Sequence, residues 1–167
     1  ARTAALEVLE RLLPGADGHG PLLTALQGAH LDLRVRAAEL WAARHDERAE
    51  ALIAPMRELI TDKDLDRRVA APVLRALRQR AAVALATLAS PRTVTFLATE
   101  LLKHELPEMR EQAARGLANA ARPGDEGHLL DALGHAEVWV RSWAADGLSR
   151  LGDARALPVL TGNLRND

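Results

Sequence analysis

Arginines stand at positions 2, 34, 78, 110 and 141, each after an apolar or chain-starting residue and each followed three residues later by alanine, as in Val140-Arg141-Ser-Trp-Ala144 and Met109-Arg110-Glu-Gln-Ala113. A guanidinium offers five donors in a planar fork, so a row of them could hold carboxylates, phosphates or backbone carbonyls. Acid and imidazole pairs also occur, at His45-Asp46-Glu47 and His104-Glu105. Histidine beside carboxylate is metal-ligating chemistry, yet His128 and His135 lack the i, i+4 spacing that puts two ligands on one helix face. The chain contains no cysteine, which removes disulfides, thiolate nucleophiles and zinc-thiolate sites. Neither a glycine-rich phosphate loop nor a serine-nucleophile motif is present. These residues imply no cofactor and no metal.

The elements that carry these residues follow from the repeat. The segment Val140 to Asp153 slides back onto Met109 to Ala120, onto Leu77 to Leu88, more loosely onto Leu33 to Arg44, and onto the opening Arg2 to Leu12. The arginines are spaced 32, 44, 32 and 31 residues apart, a period of 31 to 32 with one insertion of about a dozen. Such a unit is too long for one helix and suits two helices with turns. Within it, the order (apolar)-Arg-x-x-Ala-x-x-small-Leu-x-x-Leu collects apolar and small residues on one face of a 3.6-residue helix, the second of each pair. The first helices are expected at Pro21 to Leu26, Ala49 to Ile60, Thr93 to Leu102, Asp125 to Leu133 and Ala156 to Leu164. Turns are marked by Pro14-Gly15, Ser90-Pro91, Pro123-Gly124 and Gly152-Asp153.

Composition agrees. Hydrophobic residues make up 48% of 167 and are mostly Ala, Leu and Val, with one Phe, no Tyr and three Trp, which is helix-forming material without the alternation of strands. The net charge of −1 gives the whole chain no general pull on phosphate backbones, so nucleic acid is an unfavoured partner. No apolar run of membrane-spanning length and no signal-peptide pattern is visible, and a cytoplasmic location is the favoured reading.

With these residues in view, the unit resembles the short bacterial HEAT repeat first associated with phycobilisome lyases. That pattern, Val-Arg-x-x-Ala-Ala-x-Ala-Leu-Gly followed by a proline-containing helix, is matched by Val140 to Gly152 and then Ala156-Leu157-Pro158. The resemblance implies an all-α fold: a right-handed α-solenoid of about five helix pairs, residues 1–167 forming a single repeat domain, a fragment of a longer solenoid with broken repeats at both ends. Uncapped ends would favour self-association. It also implies a protein–protein interaction scaffold or adaptor that takes a partner segment on its concave face. The alternatives are a HEAT-like enzyme such as a chromophore lyase and a nucleic-acid-binding module. Against an enzyme of the deoxyhypusine hydroxylase kind, the slots after the repeat arginine hold Glu111-Gln112 and Ser142-Trp143 where His-Glu would be required. The similarity to HEAT-like alkylpurine DNA glycosylases is one of fold alone.

The arginine row reads as a structural ladder that pairs with an acidic or carbonyl group of the neighbouring repeat. Outward positions of the second helices read Val35, Arg36, Glu39, Ala42, Ala43; Gln79, Arg80, Val83, Ala86, Thr87; Glu111, Gln112, Arg115, Ala118, Asn119; and Ser142, Trp143, Asp146, Ser149, Arg150. This is a lane of small side chains edged by charge, with Arg36, Arg80, Val83, Arg115 and Arg150 as candidate partner contacts. Trp143 replaces Ala4, Arg36, Arg80 and Gln112 at its position, so partial exposure is expected, and Trp139 lies four residues before it. The pair could instead pack on the next repeat. Trp41 takes a Leu position and is expected in the core. The insertion, residues 61–72, is expected as a polar loop or short helix, with Pro72 in the first turn of a lengthened second helix. Arg67, Arg68, Arg75 and Arg78 form a basic patch beside it that Asp62, Asp64 and Asp66 dilute.

Overall fold

The computed structural model describes residues 19–44 and 47–163. All regular structure among them is helical, as the composition requires. The chain divides into two compact units, residues 1–88 and 89–167.

The first unit holds α1 (His19–Gln27), α2 (Leu31–Ala42), a 3-10 segment Glu47–Leu52 running into α3 (Ile53–Thr61), the short α4 (Leu65–Arg68) and the long α5 (Ala71–Leu88). Helix α2 is enclosed by α1, α3 and α5. The repeat pattern explains why: Ala37, Ala38 and Trp41 are buried on α2 and Ala81, Ala82 and Leu85 on α5, with small residues letting the helices close and large ones filling the layer. Leu22, Leu26, Met56, Leu59 and Ile60 seal it from the first helices. The insertion forms α4, and Pro72 sits in the first turn of α5, where its missing N–H costs nothing.

The second unit runs α6 (Pro91–Thr99), a 3-10 turn Leu101–Lys103, α7 (Pro107–Ala120), α8 (Glu126–Leu133), α9 (Val138–Arg150), a 3-10 turn Ala154–Ala156 and α10 (Leu157–Asn163). Ser90 caps α6: its Oγ accepts the Thr93 N–H at 3.3 Å, and Pro91 fills the first helical position. Ser90-Pro91 therefore starts a helix as well as ending a turn. Gly124 and Gly152 adopt φ of 109° and 76°, the left-handed conformations by which these turns reverse the chain. Helix α7, with Met109, Ala113 and Leu117 buried, packs against α9, with Val140, Ala144 and Leu148 buried. At Gly147 the approach is so close that a Cβ would lie 2.9 Å from Leu129 Cδ2 and 3.1 Å from the Ala118 Cα. The small residue of the repeat pattern is here a packing requirement.

The first helices of the last four pairs begin or end in 3-10 geometry more often than the periodicity suggests, at Glu47–Leu52, Leu101–Lys103 and Ala154–Ala156. Pro14-Gly15, Arg2 and the opening copy of the repeat lie outside the described residues, as do His45 and Asp46.

Candidate functional site

Among the described residues, all four repeat arginines, Arg34, Arg78, Arg110 and Arg141, donate to backbone carbonyls of the segment before their helix. Carbonyls at and beyond the end of a first helix have no helical donor, and the repeat arginine reaches back to them, from the first turn of the second helix at Arg34, Arg110 and Arg141 and from farther along α5 at Arg78. In the second unit Arg110 Nη1 donates to the carbonyls of His104 (2.7 Å) and Glu105 (2.9 Å), and Arg141 Nη1 to those of His135 (2.9 Å) and Ala136 (2.8 Å). Arg110 also clasps Glu137 through Nε and Nη2, at 2.9 and 2.5 Å. That bond pulls the Glu137 carboxyl below its ordinary range, helped by the charges of Arg110 and His135 and opposed by desolvation. In the first unit Arg78, 4% exposed, donates to the Leu59 and Asp62 carbonyls at 3.2 and 2.7 Å and to Asp66 at 2.9 Å. Arg34 Nε donates to the Gly28 carbonyl at 2.6 Å.

The ladder therefore closes chiefly on the turn of its own helix pair. The neighbouring repeat enters at Arg110, whose carboxylate comes from the residue that precedes α9. The turns carry a second device that spacing alone did not single out. His104 Nδ1 accepts the Leu106 N–H and His135 Nδ1 the Glu137 N–H, both at 3.1 Å. These histidines are 31 residues apart, in register with Arg110 and Arg141, so the repeat period itself was the available signal. They fasten turns. Among the described residues no group of three or more His, Cys, Asp or Glu side chains is placed to hold a metal.

The outward lane is narrower than its sequence suggests. Val35, Ala42, Gln112 and Ala118, expected to face outward, are all buried. The cause is the number of elements on each second helix: α2 is packed by three helices, and α7 by α6, α8, α9 and a 3-10 turn, which leaves a thinner exposed stripe than an isolated helix pair would. In the first unit the stripe keeps Val83, 37% exposed, and a charged cluster. There Arg80 of α5 grips Glu39 of α2 in a two-point bond, 2.6 and 2.8 Å, while Arg36 approaches the same carboxylate at 3.4 Å. Burial pushes the Glu39 carboxyl up, and the arginine hydrogen bonds and charges together outweigh it and hold it below the usual value. Arg36 and Arg80 are thus partly committed to Glu39.

In the second unit Trp139 and Trp143 stand one turn apart on α9, both half-buried, at the edge of its buried face of Val140, Ala144, Gly147 and Leu148. Helix α9 begins at Val138, early enough to bring Trp139 onto the helix. Arg115 of α7 is exposed and donates to the Gln112 side chain at 2.9 Å, and Arg150 lies 3.5 Å from Asp146. Trp41, by contrast, is 1% exposed in the core of the first unit.

The basic patch separates. Arg67 and Arg68 on α4 are exposed and lie 3.8 Å from Asp64 and 3.7 Å from Asp62; Arg75 on α5 is exposed. Arg78 leaves the patch altogether, because its guanidinium is the buried staple of the preceding turn. Among the described residues no helix is long and apolar enough to cross a membrane.

Paired antiparallel helices with a repeated arginine–carbonyl staple define an all-α helical repeat protein. Residues 94–167 match the family model for HEAT repeats, which supports a place among HEAT-repeat proteins; the matched stretch lies in the second unit. No curated protein matches the chain.

Proposed function

We propose that the protein is an interaction scaffold or adaptor, whose exposed second-helix stripe binds a segment of another protein. The observation that carries this is the tryptophan pair. Two large aromatics one turn apart on α9 are partly exposed, while the remaining tryptophan is fully buried. Tryptophan is the residue most enriched at the centres of interfaces, since it brings large rigid area and one donor. Asp146 and Arg150 farther along α9 and the exposed Arg115 of α7 would set register at the rim, and Arg36, Arg80 and Val83 form the corresponding stripe of the first unit. The 31-residue interval from Arg110 to Arg141 supports the short bacterial kind of repeat.

The test is affinity capture of partners by the parent beside a Trp139→Ala/Trp143→Ala double variant of matched helicity, followed by titration of each captured partner against both. A partner held by the parent and weakened about tenfold or more in the variant supports the site. Equal binding to both proteins removes the tryptophans from the interface.

A further inference from the structure

Two of the repeat arginines are completed by a carboxylate from another element: Asp66 of α4 at 2.9 Å from Arg78 Nη1, and Glu137 before α9 on Arg110. Arg34 begins in the same way, with Nε on the Gly28 carbonyl. Its terminal nitrogens, however, donate no hydrogen bond to a described residue; the Glu58 carboxylate is 3.8 Å from Nη1, on a side chain that is 66% exposed. Arg34 instead lines a cavity of about 360 Å³ in the first unit, between the α1–α2 turn, the end of α3 and the insertion. Leu31, Leu59, Leu65 and Val69 supply its apolar wall, and Arg68 brings a second guanidinium.

The volume is that of a ligand site. An apolar cavity of about 150 Å³ holds benzene, and pockets for small molecules begin at roughly 300 Å³. The polar side is equally selective. Asp62 is committed to the insertion turn, its Oδ1 accepting the Asp64 N–H at 2.8 Å and its Oδ2 3.7 Å from Arg68. Glu58 is exposed enough to swing into solvent, where its long ion pair is weak and screened. Both carboxylates line the cavity and would repel a second negative charge.

We propose that this cavity binds a monocarboxylate carried on a compact apolar group, the carboxylate on the Arg34 terminal nitrogens and the apolar body against Leu31, Leu59, Leu65 and Val69. The carboxylate completes Arg34 as Asp66 completes Arg78. Two sources share this chemistry, a free carboxylic acid and the chain end of a peptide whose last residue is apolar. The site is independent of the tryptophan stripe, and the insertion, which supplies Leu65, Arg68 and Val69, is what creates it.

Calorimetric titration with 3-phenylpropionate and with its neutral amide tests the proposal, alongside acetyl-Gly-Phe with a free and with an amidated end. The acid should bind at least about tenfold more tightly than the matching amide, since only the acid makes charge-assisted bonds to Arg34. Binding of 3-phenylpropionate identifies the free-acid source, and binding of acetyl-Gly-Phe alone identifies the chain end. Val69→Trp, at a half-buried position outside the helices, fills the cavity and should abolish binding with helicity retained. Glu58→Gln, which removes the competing carboxylate, should tighten binding about threefold. Equal affinity for acid and amide, unchanged binding by Val69→Trp, or no saturation by either acid at about 10 mM would overturn it.

Discussion

The two units solve one problem at different distances along the chain. In the second, Arg110 and Arg141 staple carbonyls six and five residues behind them. In the first, Arg34 also reaches six residues back, but Arg78 staples carbonyls 19 and 16 residues behind, across the insertion and α4. What the arginine does is unchanged: it supplies donors to carbonyls at or just beyond the end of the helix before it. The comparison teaches that the repeat tolerates a dozen extra residues in the turn, provided the guanidinium still reaches carbonyls at or just beyond the end of the preceding helix. The longer reach has a price in burial, since Arg78 is enclosed where Arg141 is half-exposed.

That difference sets the largest expected effect. Arg78→Ala strands the buried Leu59 carbonyl and the part-buried Asp62 carbonyl and should cost about 2–4 kcal/mol, read as a lowered urea midpoint, the part-exposed Asp66 carboxylate adding little. If Arg141→Ala costs as much, the contrast between enclosed and half-exposed staples fails; the expectation is about 1–2 kcal/mol. Gly147→Ala sharpens the comparison from the packing side. Its methyl meets Leu129 and the Ala118 backbone, so about 1–3 kcal/mol should be lost in the second unit.

A smaller effect is tied to pH. The Arg110 hydrogen bonds depress the Glu137 carboxyl in the folded protein. A depressed carboxyl contributes stability that is complete above its unfolded value, near 4.5, and is lost as pH falls through the folded value. Urea midpoints of the parent should therefore drop more steeply below about pH 4.5 than those of Glu137→Gln, which has no such carboxyl to protonate. Identical slopes would detach the Arg110 clasp from stability. The smallest change runs the other way: Ala89 closes α5 with φ of 50°, a left-handed conformation that suits glycine, and Ala89→Gly should stabilise by about 0.5 kcal/mol.

Much of this architecture was legible in spacing. The pattern around the arginines placed Ala113, Leu117, Ala144 and Leu148 inside and put Trp41 in the core, because a 3.6-residue period reports directly on which face a residue takes. Less legible was how many neighbours each helix would have. Val35 and Gln112 sit at outward angles of their own helices and are buried by others, a tertiary effect no single-helix projection contains. The cavity at Arg34 was invisible for the same reason: its wall is assembled from residues 29 to 69, on elements whose meeting depends on the path of the insertion. The partner of Arg78 was hidden too, since Asp62, Asp64 and Asp66 are equivalent on paper and only the fold sends Asp66 to the guanidinium.

The placement of the three tryptophans has a consequence for spectroscopy. The chain has no tyrosine, so its near-ultraviolet emission comes from Trp41, sealed in the first unit, and from Trp139 and Trp143, partly exposed on the second. A polar quencher such as acrylamide should reach the latter two and spare the former while the fold is intact. Replacing Trp41 with Phe leaves an emitter only in the second unit, and replacing the other two leaves one only in the first. Each unit thus carries its own optical label, and whether they melt together or apart can be watched without attaching a dye.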